Sequence, residues 1–502
     1  MIDELINAAT LWDTEEIEDE VLVNYDNEDI DYQYEGYNPL YEEKEEDKSL
    51  DDYDFIVNNK GVLKRIINCC KTHKDSITIP SNVKIIPDYC FNFDSFENIR
   101  KITLPEGLLR IGISAFSYLP LLEEINIPST VKYIDKCAFE GCISLKEVNI
   151  PYGVKEIEDY TFRHCNSLKK VTVPSTIKEI GAEAFSYCKS LTSITLPETL
   201  QRIDRACFLG CRNIEHINGG GRKIYISGGC ISGCEKIKTF LGRKMEGDLL
   251  TNGSKLYCVI RGYKDDECFT VPSDITKIMP YAFAANSSYK KIIVGENVKE
   301  IGSSAFESSN VEEVELNCPL QAIKGALFFN CHKLKKVTLP SSIKRIGGGA
   351  FYNCEGLERI DIPSENEEIG KEAFYNCKNL KEINLGENIR EIGPHAFAHC
   401  STLKEVVIPP QIKEIKTGTF LDCSSINKVS IPDSLEYIET LAFETKSKIE
   451  EFNVYESGRE KKELKTGIFP KGIKTNIEKV TIPKGYVRCD IFTDVKELKE
   501  II

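Results

Sequence analysis

The chain has 502 residues, 41% of them hydrophobic and 28% charged, a globular composition rather than a disordered or fibrous one. No apolar run approaches the roughly 18 residues that a membrane-spanning helix needs. The net charge of −15 is an uneven average: residues 1–55 hold 21 Asp and Glu against only Lys44 and Lys48, so the body beyond them is near balance. A balanced body lacks the concentrated basic face of a nucleic-acid binder, and no nucleic-acid partner is expected.

Residues 1–53 come first in chain order. They mix acids with Tyr25, Tyr32, Tyr34, Tyr37, Tyr41 and Tyr53, a composition in which self-repulsion outweighs burial, so a disordered acidic tail is expected. A partner-binding segment is the other reading, because Ile2, Leu5, Ile6 and Ala9 follow helical spacing. The opening residues carry acids where a secretory leader has a basic end and an apolar centre. That predicts a cytoplasmic chain, with the cell surface or secretion by a non-classical route as the alternative.

From residue 54 the sequence is built from one recurring unit. Aliphatic triplets end at 80, 105, 128, 151, 174, 197, 220, 243, 272, 295, 317, 340, 363, 386, 409, 432, 455 and 483, and thirteen of these seventeen steps are 23 residues. Such a period predicts a β-rich solenoid in which each coil contacts only its neighbours. In Leu145–Pro151, Val148 and Ile150 alternate with Asn149, the signature of a short half-buried strand. Pro151 ends that strand because it has no N–H to donate. Val154 and Ile157 turn the chain back over the core. The glycine after the second Ile (Gly112, Gly181, Gly302, Gly347, Gly370, Gly393) is read as a tight corner. Phe follows in fourteen copies, from Phe91 to Phe443, which predicts an aromatic spine through the coils.

Two irregular stretches organise the repeats. Residues 54–80 and 247–272 each read as strand, Asn/Gly turn, strand and charged loop. The predicted domains are therefore a tail, 1–53; a first array with an amino-terminal hairpin cap, 54–243; and a second array opened by a hairpin insertion, 244–502. The 28-residue step before Pro483 reads as a loosened closing coil, with the last residues capping the open end.

Ten of the twenty cysteines (Cys142, Cys165, Cys188, Cys211, Cys234, Cys331, Cys354, Cys377, Cys400 and Cys423) share one address, fourteen residues after the triplet's end. Three more, Cys90, Cys207 and Cys230, replace the small Ala at the unit's position before Phe, where Ile231 follows the last of them. They read as small buried hydrophobes and free thiols. Stacked coils bring equivalent cysteines within disulfide range but point them in parallel. A metal-dependent protein using Cys207, Cys211, Cys230 and Cys234 is the less favoured alternative.

The unit Leu-x-x-(Ile/Val)-x-(Ile/Leu)-Pro-x-x-(Ile/Val)-x-x-Ile-Gly-x-x-Ala-Phe-x-x-Cys resembles the BspA-like leucine-rich repeat over residues 55–483. The resemblance implies a curved, right-handed superhelix with a parallel sheet along one face, and a role in adhesion and protein binding rather than catalysis.

No catalytic constellation emerges. The six histidines are scattered, and those preceding repeat cysteines (His164, His399) are explained by the register. Gly219–Lys223 lacks the spacing and hydroxyl of a phosphate-binding loop. No cofactor is expected. What remains is surface: the outward triplet residues Asn126, Asn149, Thr172, Thr195 and Asn218, then Thr338, Asp361, Asn384, Val407 and Ser430, form a polar column flanked by Lys/Glu pairs. Apart from Val407 they are the candidate partner-binding face, for a protein or alternatively a glycan, on a chain that is monomeric or weakly self-associating. Asn and Thr suit such a face because they donate and accept without the desolvation cost of a charge. A solvated face, or a spacer that displays the acidic tail, are the competing readings.

Overall fold

The computed structural model describes residues 54–67, 75–91, 96–221, 224–245, 249–260, 267–439, 441–444, 448–458, 476–482 and 500–501. The acidic segment 1–53 and most of the closing coil lie outside the described residues. The rest forms two compact units: residues 54–253 with 257–260, and residues 254–256 with 267 onward.

Both units are parallel β-solenoids. In the first, Asp54–Val57 and Leu63–Ile67 form an antiparallel hairpin, its turn held by Asn58, whose Oδ1 accepts from the Lys60 and Val62 N–H groups. Then Ser76–Thr78, Lys101–Thr103 and Glu124–Asn126 pair in parallel and in register. Glu147–Asn149 pairs with Lys170–Thr172, and Ser193–Leu196 with His216–Gly219. The central residue of each triplet is buried and its neighbours face outward, the period-2 pattern of a half-buried strand. The second unit repeats this from Cys268–Thr270 to Lys448–Tyr455 and Asn476–Thr481. Glu500–Ile501 adds in parallel to Lys479–Val480. A narrower ladder of two-residue strands, such as Glu156–Ile157 beside Glu179–Ile180, forms a second side.

Arg243 departs from the expected register. Arg243–Lys244 folds back antiparallel on Thr239–Phe240, through a turn with Leu241 and Gly242 at positive φ. The first run of triplets therefore ends on a reverse turn there.

The third side is the phenylalanine turn, where the backbone alternates its donors. Around Phe162, the Tyr160, Phe162 and His164 N–H groups donate to the Ala182, Ala184 and Ser186 carbonyls of the next coil (2.9, 2.9 and 2.8 Å), while Thr161, Arg163 and Cys165 donate to Glu158, Tyr160 and Phe162 of their own (3.4, 3.1 and 3.1 Å). Every amide of the turn thus has a partner although no helix is formed. The path requires left-handed backbone two residues before and after Phe: Tyr160 and His164 have φ of 60° and 59°, and the same two positions recur along both units. Non-glycine residues adopt this region at a cost; Asn330, Asn353 and Asn376, a residue type that tolerates it well, occupy the second position in consecutive coils.

The phenyl rings stack in two runs. Phe91 to Phe208 spans the first unit, with Phe139 and Phe162 centroids 5.5 Å apart at 4°. Phe283 to Phe443 spans the second, with Phe351 and Phe374 5.0 Å apart at 4°. Buried Ile231 takes the phenylalanine's place after Phe208.

The cysteines have a role beyond filling space. Each of the ten donates its thiol to the phenylalanine carbonyl of the preceding coil: Cys165 Sγ to Phe139 O at 3.2 Å, Cys188 Sγ to Phe162 O at 3.2 Å, Cys354 Sγ to Phe328 O at 3.1 Å. The same series includes Cys142, Cys211, Cys234, Cys331, Cys377, Cys400 and Cys423. The Phe162 carbonyl therefore accepts twice, from the Cys165 amide and from the Cys188 thiol. Cysteine is the small apolar side chain that also carries a weak donor.

The recurrent glycine has a different cause from the one expected. Gly112, Gly181, Gly302, Gly347, Gly370 and Gly393 are absent from the positive-φ residues. An added Cβ at Gly181 would instead lie 2.6 Å from the Asp159 backbone nitrogen, and at Gly393 2.4 Å from that of Lys371. Glycine is needed because two coils pass too closely for a side chain, not because the backbone turns left-handed.

One residue breaks the core pattern. Asn366 occupies the aliphatic position held by Ile343 and Ile389 in adjacent coils, is 0% exposed, and neither its Nδ2 nor its Oδ1 has a hydrogen-bond partner. A buried amide in that state costs stability. Asn366→Val should raise the unfolding free energy in urea by about 1–3 kcal/mol; an unchanged or lower midpoint would show that the amide is satisfied.

Burial pushes the Cys142, Cys211 and Cys331 thiols up to about 12, which leaves almost no thiolate at neutral pH. Iodoacetamide at pH 8 followed by peptide mapping should label exposed Cys268 and leave the ten laddered thiols unmodified until denaturant is added. Rapid native labelling of Cys165 or Cys377 would contradict the ladder.

Candidate functional site

The candidate face is the outward side of the triplet sheet, and each unit carries its own share. In the first, Asn126, Asn149, Thr172 and Thr195 are exposed and Asn218 is half-buried. Asn149 is directly opposite Thr172, which donates its hydroxyl to Asn149 Oδ1 at 2.7 Å. Thr195 is opposite Asn218. Thr78 and Thr103 extend the column before Asn126. In the second unit Thr338 follows Glu315, Asp361 pairs with Asn384, and Val407 pairs with half-buried Ser430, itself opposite Asn453.

The charged flanks are largely paired along the coils. Glu123 sits between Arg100, 2.7 Å away, and Lys146, and these partners hold its carboxyl below the usual range. Lys335–Glu312 at 2.6 Å, Lys381–Glu358 at 2.7 Å and Lys428–Glu405 at 2.7 Å continue the theme. Exposed pairs of this kind add little stability; their effect is to leave the face with little net field.

The face carries a depression in the second unit, of about 680 Å3. Its floor is Ile383, Leu385, Val407 and Pro409, and one end is walled by Tyr455 and Ser457. The strand Glu382–Asn384 is not hydrogen-bonded to Glu405–Val407. Inward-facing Ile383 is half-buried, whereas Ile360 and Val406 in the adjacent coils are 1% exposed. Val407 is 48% exposed. Tyr455 takes the slot where most other coils have Pro, and its hydroxyl donates back to the Ile408 carbonyl. Burial, then the nearby Asp433 and Glu387 carboxylates, push its phenol up to about 12. At the other end Arg359 holds Asp361 at 2.9 Å and Glu382 at 3.1 Å. The polar column does predict Asp361 and Asn384, which line this depression; Tyr455, Glu387 and Glu456 are not predicted. Their sequence signals are an aromatic in the proline slot and Val407, an aliphatic residue in an otherwise polar column.

The cysteine alternative finds no centre. Cys211 and Cys234 spend their thiols on the Phe185 and Phe208 carbonyls, both at 3.1 Å. Among the described residues no group of three or more His, Cys, Asp and Glu is placed to hold a metal. Cys165 and His164 diverge: the thiol reaches the preceding coil, while the imidazole stacks on Tyr187 of the next at 4.8 Å. Burial, then Arg163 and Lys189, lower the His164 pKa to about 4, so it is a neutral packing ring. Among the described residues no helix is long and apolar enough to cross a membrane.

Glu158 carries a strongly shifted carboxyl just past the narrow-ladder strand Glu156–Ile157 of the first unit. Burial, then the hydrogen bond shared with Glu156, raise its pKa to about 7. A carboxyl raised on folding favours the folded state below its unfolded value of about 4.3, and that advantage is lost as pH rises through the folded value. Glu158→Gln should therefore raise the denaturation midpoint at pH 8 and leave it unchanged at pH 4. Equal shifts at both pH values would assign the effect to packing.

Among solved structures, the chain is similar to leucine-rich repeat proteins. One from Bacteroides ovatus is 25% identical, with 82% of this chain and 100% of that chain covered and a TM-score of 0.35. A leucine rich cell surface protein from Faecalibacterium prausnitzii is 21% identical over 76% of this chain and 93% of its own, with a TM-score of 0.37. One from Eubacterium ventriosum is 19% identical over 69% and 92%, with a TM-score of 0.38. A search of curated proteins found no match. The BspA type leucine rich repeat region, described as six copies, matches residues 48–142, 110–238, 264–381 and 367–499. With most of its length so matched, and with the solenoid just described, the chain belongs to the BspA-type leucine-rich repeat family.

Proposed function

We propose that the chain is a non-enzymatic recognition scaffold that binds a polypeptide partner across the exposed face of its triplet sheet. The observation supporting this is the face itself: Asn and Thr side chains repeat in register, while the neighbouring charges are mutually paired. Neutral hydrogen-bonding groups at fixed spacing bind weakly one by one and gain affinity by acting together. The family membership agrees with a scaffold rather than a catalyst.

A benzophenone amino acid placed at Asn149 or Asn384, on the sheet face, tests this against the same group at exposed Lys155 or Lys189 elsewhere on the coils. Irradiation in an extract of the source organism should give discrete protein adducts from the first pair only. Converting Asn126, Asn149, Thr172 and Thr195 together to Lys should weaken capture by about tenfold or more. Equal adducts from all four positions would remove the sheet face from consideration.

A further inference from the structure

The depression in the second unit gathers apolar side chains in one place. Val173 and Ile293 are also half-buried on the sheet, but here half-buried Ile383 and Leu385 and exposed Val407 line one depression together. The acids around it are also unbalanced. Arg359 is the only base in its lining and is already engaged by Asp361 and Glu382. Glu387 and Glu456 are exposed on the same rim beside Tyr455. An apolar floor next to uncompensated carboxylates recognises an apolar side chain adjoining a cationic one. The two charges attract across a partly dry surface, and a purely acidic ligand is repelled.

We infer that this depression binds a peptide segment of a partner protein in which an aliphatic or aromatic residue neighbours Lys or Arg. The apolar side chain sits on Ile383, Val407 and Pro409, and the cation lies against Glu387 and Glu456 beside the Tyr455 ring. Asn384, exposed at the edge, offers a donor and an acceptor to the peptide backbone. This rests on the reading that the sheet face is the recognition surface and adds where on that face one partner is selected.

The probe is a library of random dodecapeptides displayed on phage and selected on the immobilised full-length chain, with enriched sequences resynthesised for fluorescence anisotropy. Enriched peptides should carry Lys or Arg within two residues of Leu, Ile, Val, Met or Phe. Val407→Lys, and separately Glu387→Lys with Glu456→Lys, should each weaken their binding by about tenfold. Circular dichroism and an unchanged pattern of thiol protection would confirm that the variants fold. No enrichment, acidic consensus peptides, or affinities indifferent to both variants would overturn the proposal. Binding on a glycan array in place of peptides would do the same. Peptides that ignore the depression but are lost in the fourfold Lys variant of the first unit would sink this site and leave the scaffold reading standing. Reversing Lys461, Lys462 and Lys465 to Glu in the full chain should change nothing; a tenfold gain in peptide affinity would name this chain's own segment as the occupant and refute the partner.

Discussion

The alternating direction of the amides in the phenylalanine turn is the constraint from which the rest of the architecture follows. Successive N–H groups point to the next coil and back into their own. A turn can satisfy that pattern only with two left-handed residues per coil. Once it is satisfied, coil spacing is set, and ring centroids near 5 Å follow from it. The phenylalanine carbonyl, having accepted one amide, can still accept a second donor. A thiol supplies that donor. Stacked rings and sulfur column are thus two consequences of one hydrogen-bonding scheme.

Much of this was legible in the residues, because it repeats. Periodicity marks the strand, the ring and the thiol without any knowledge of contacts. What repetition does not reveal is why a residue recurs. The corner glycine looks like a conformational requirement, yet the obstruction is the backbone of the preceding coil, which no local pattern exposes. Arg243 fits the count but not the geometry, since a left-handed Leu241–Gly242 pair reverses the chain just before it. The column of outward side chains was readable; the depression was not. It lies beside Tyr455, which reaches back two coils to Ile408, a contact that no repeat pattern marks. Asn366 was equally invisible, being one polar letter in a polar stretch until the register places it in the core.

The charged flanks and the neutral column divide the work of the face. Ion pairs along the coils leave it with little net field, so on the proposed reading recognition rests on hydrogen bonds and shape. The second unit departs from that neutrality where acids gather beside exposed aliphatic side chains, and specificity is expected where the pattern breaks. Within the second unit, the regular coils on either side set the position of the irregular one.

The hydrogen-bonding scheme also quantises the chain's growth. Adding or removing one complete coil leaves every donor matched, whereas a shift of one residue inside the turn would exchange the two sets of amides. Length can vary cheaply only between the turn and the sheet. The single 22-residue coil shows this: its shortened stretch lies between Ser309, in the cysteine's position, and Val314, while Phe306 still donates to Leu327 and Cys331 still caps Phe306. Solenoids of this kind are therefore expected to differ in length by whole coils, with odd-sized changes collecting on that one edge.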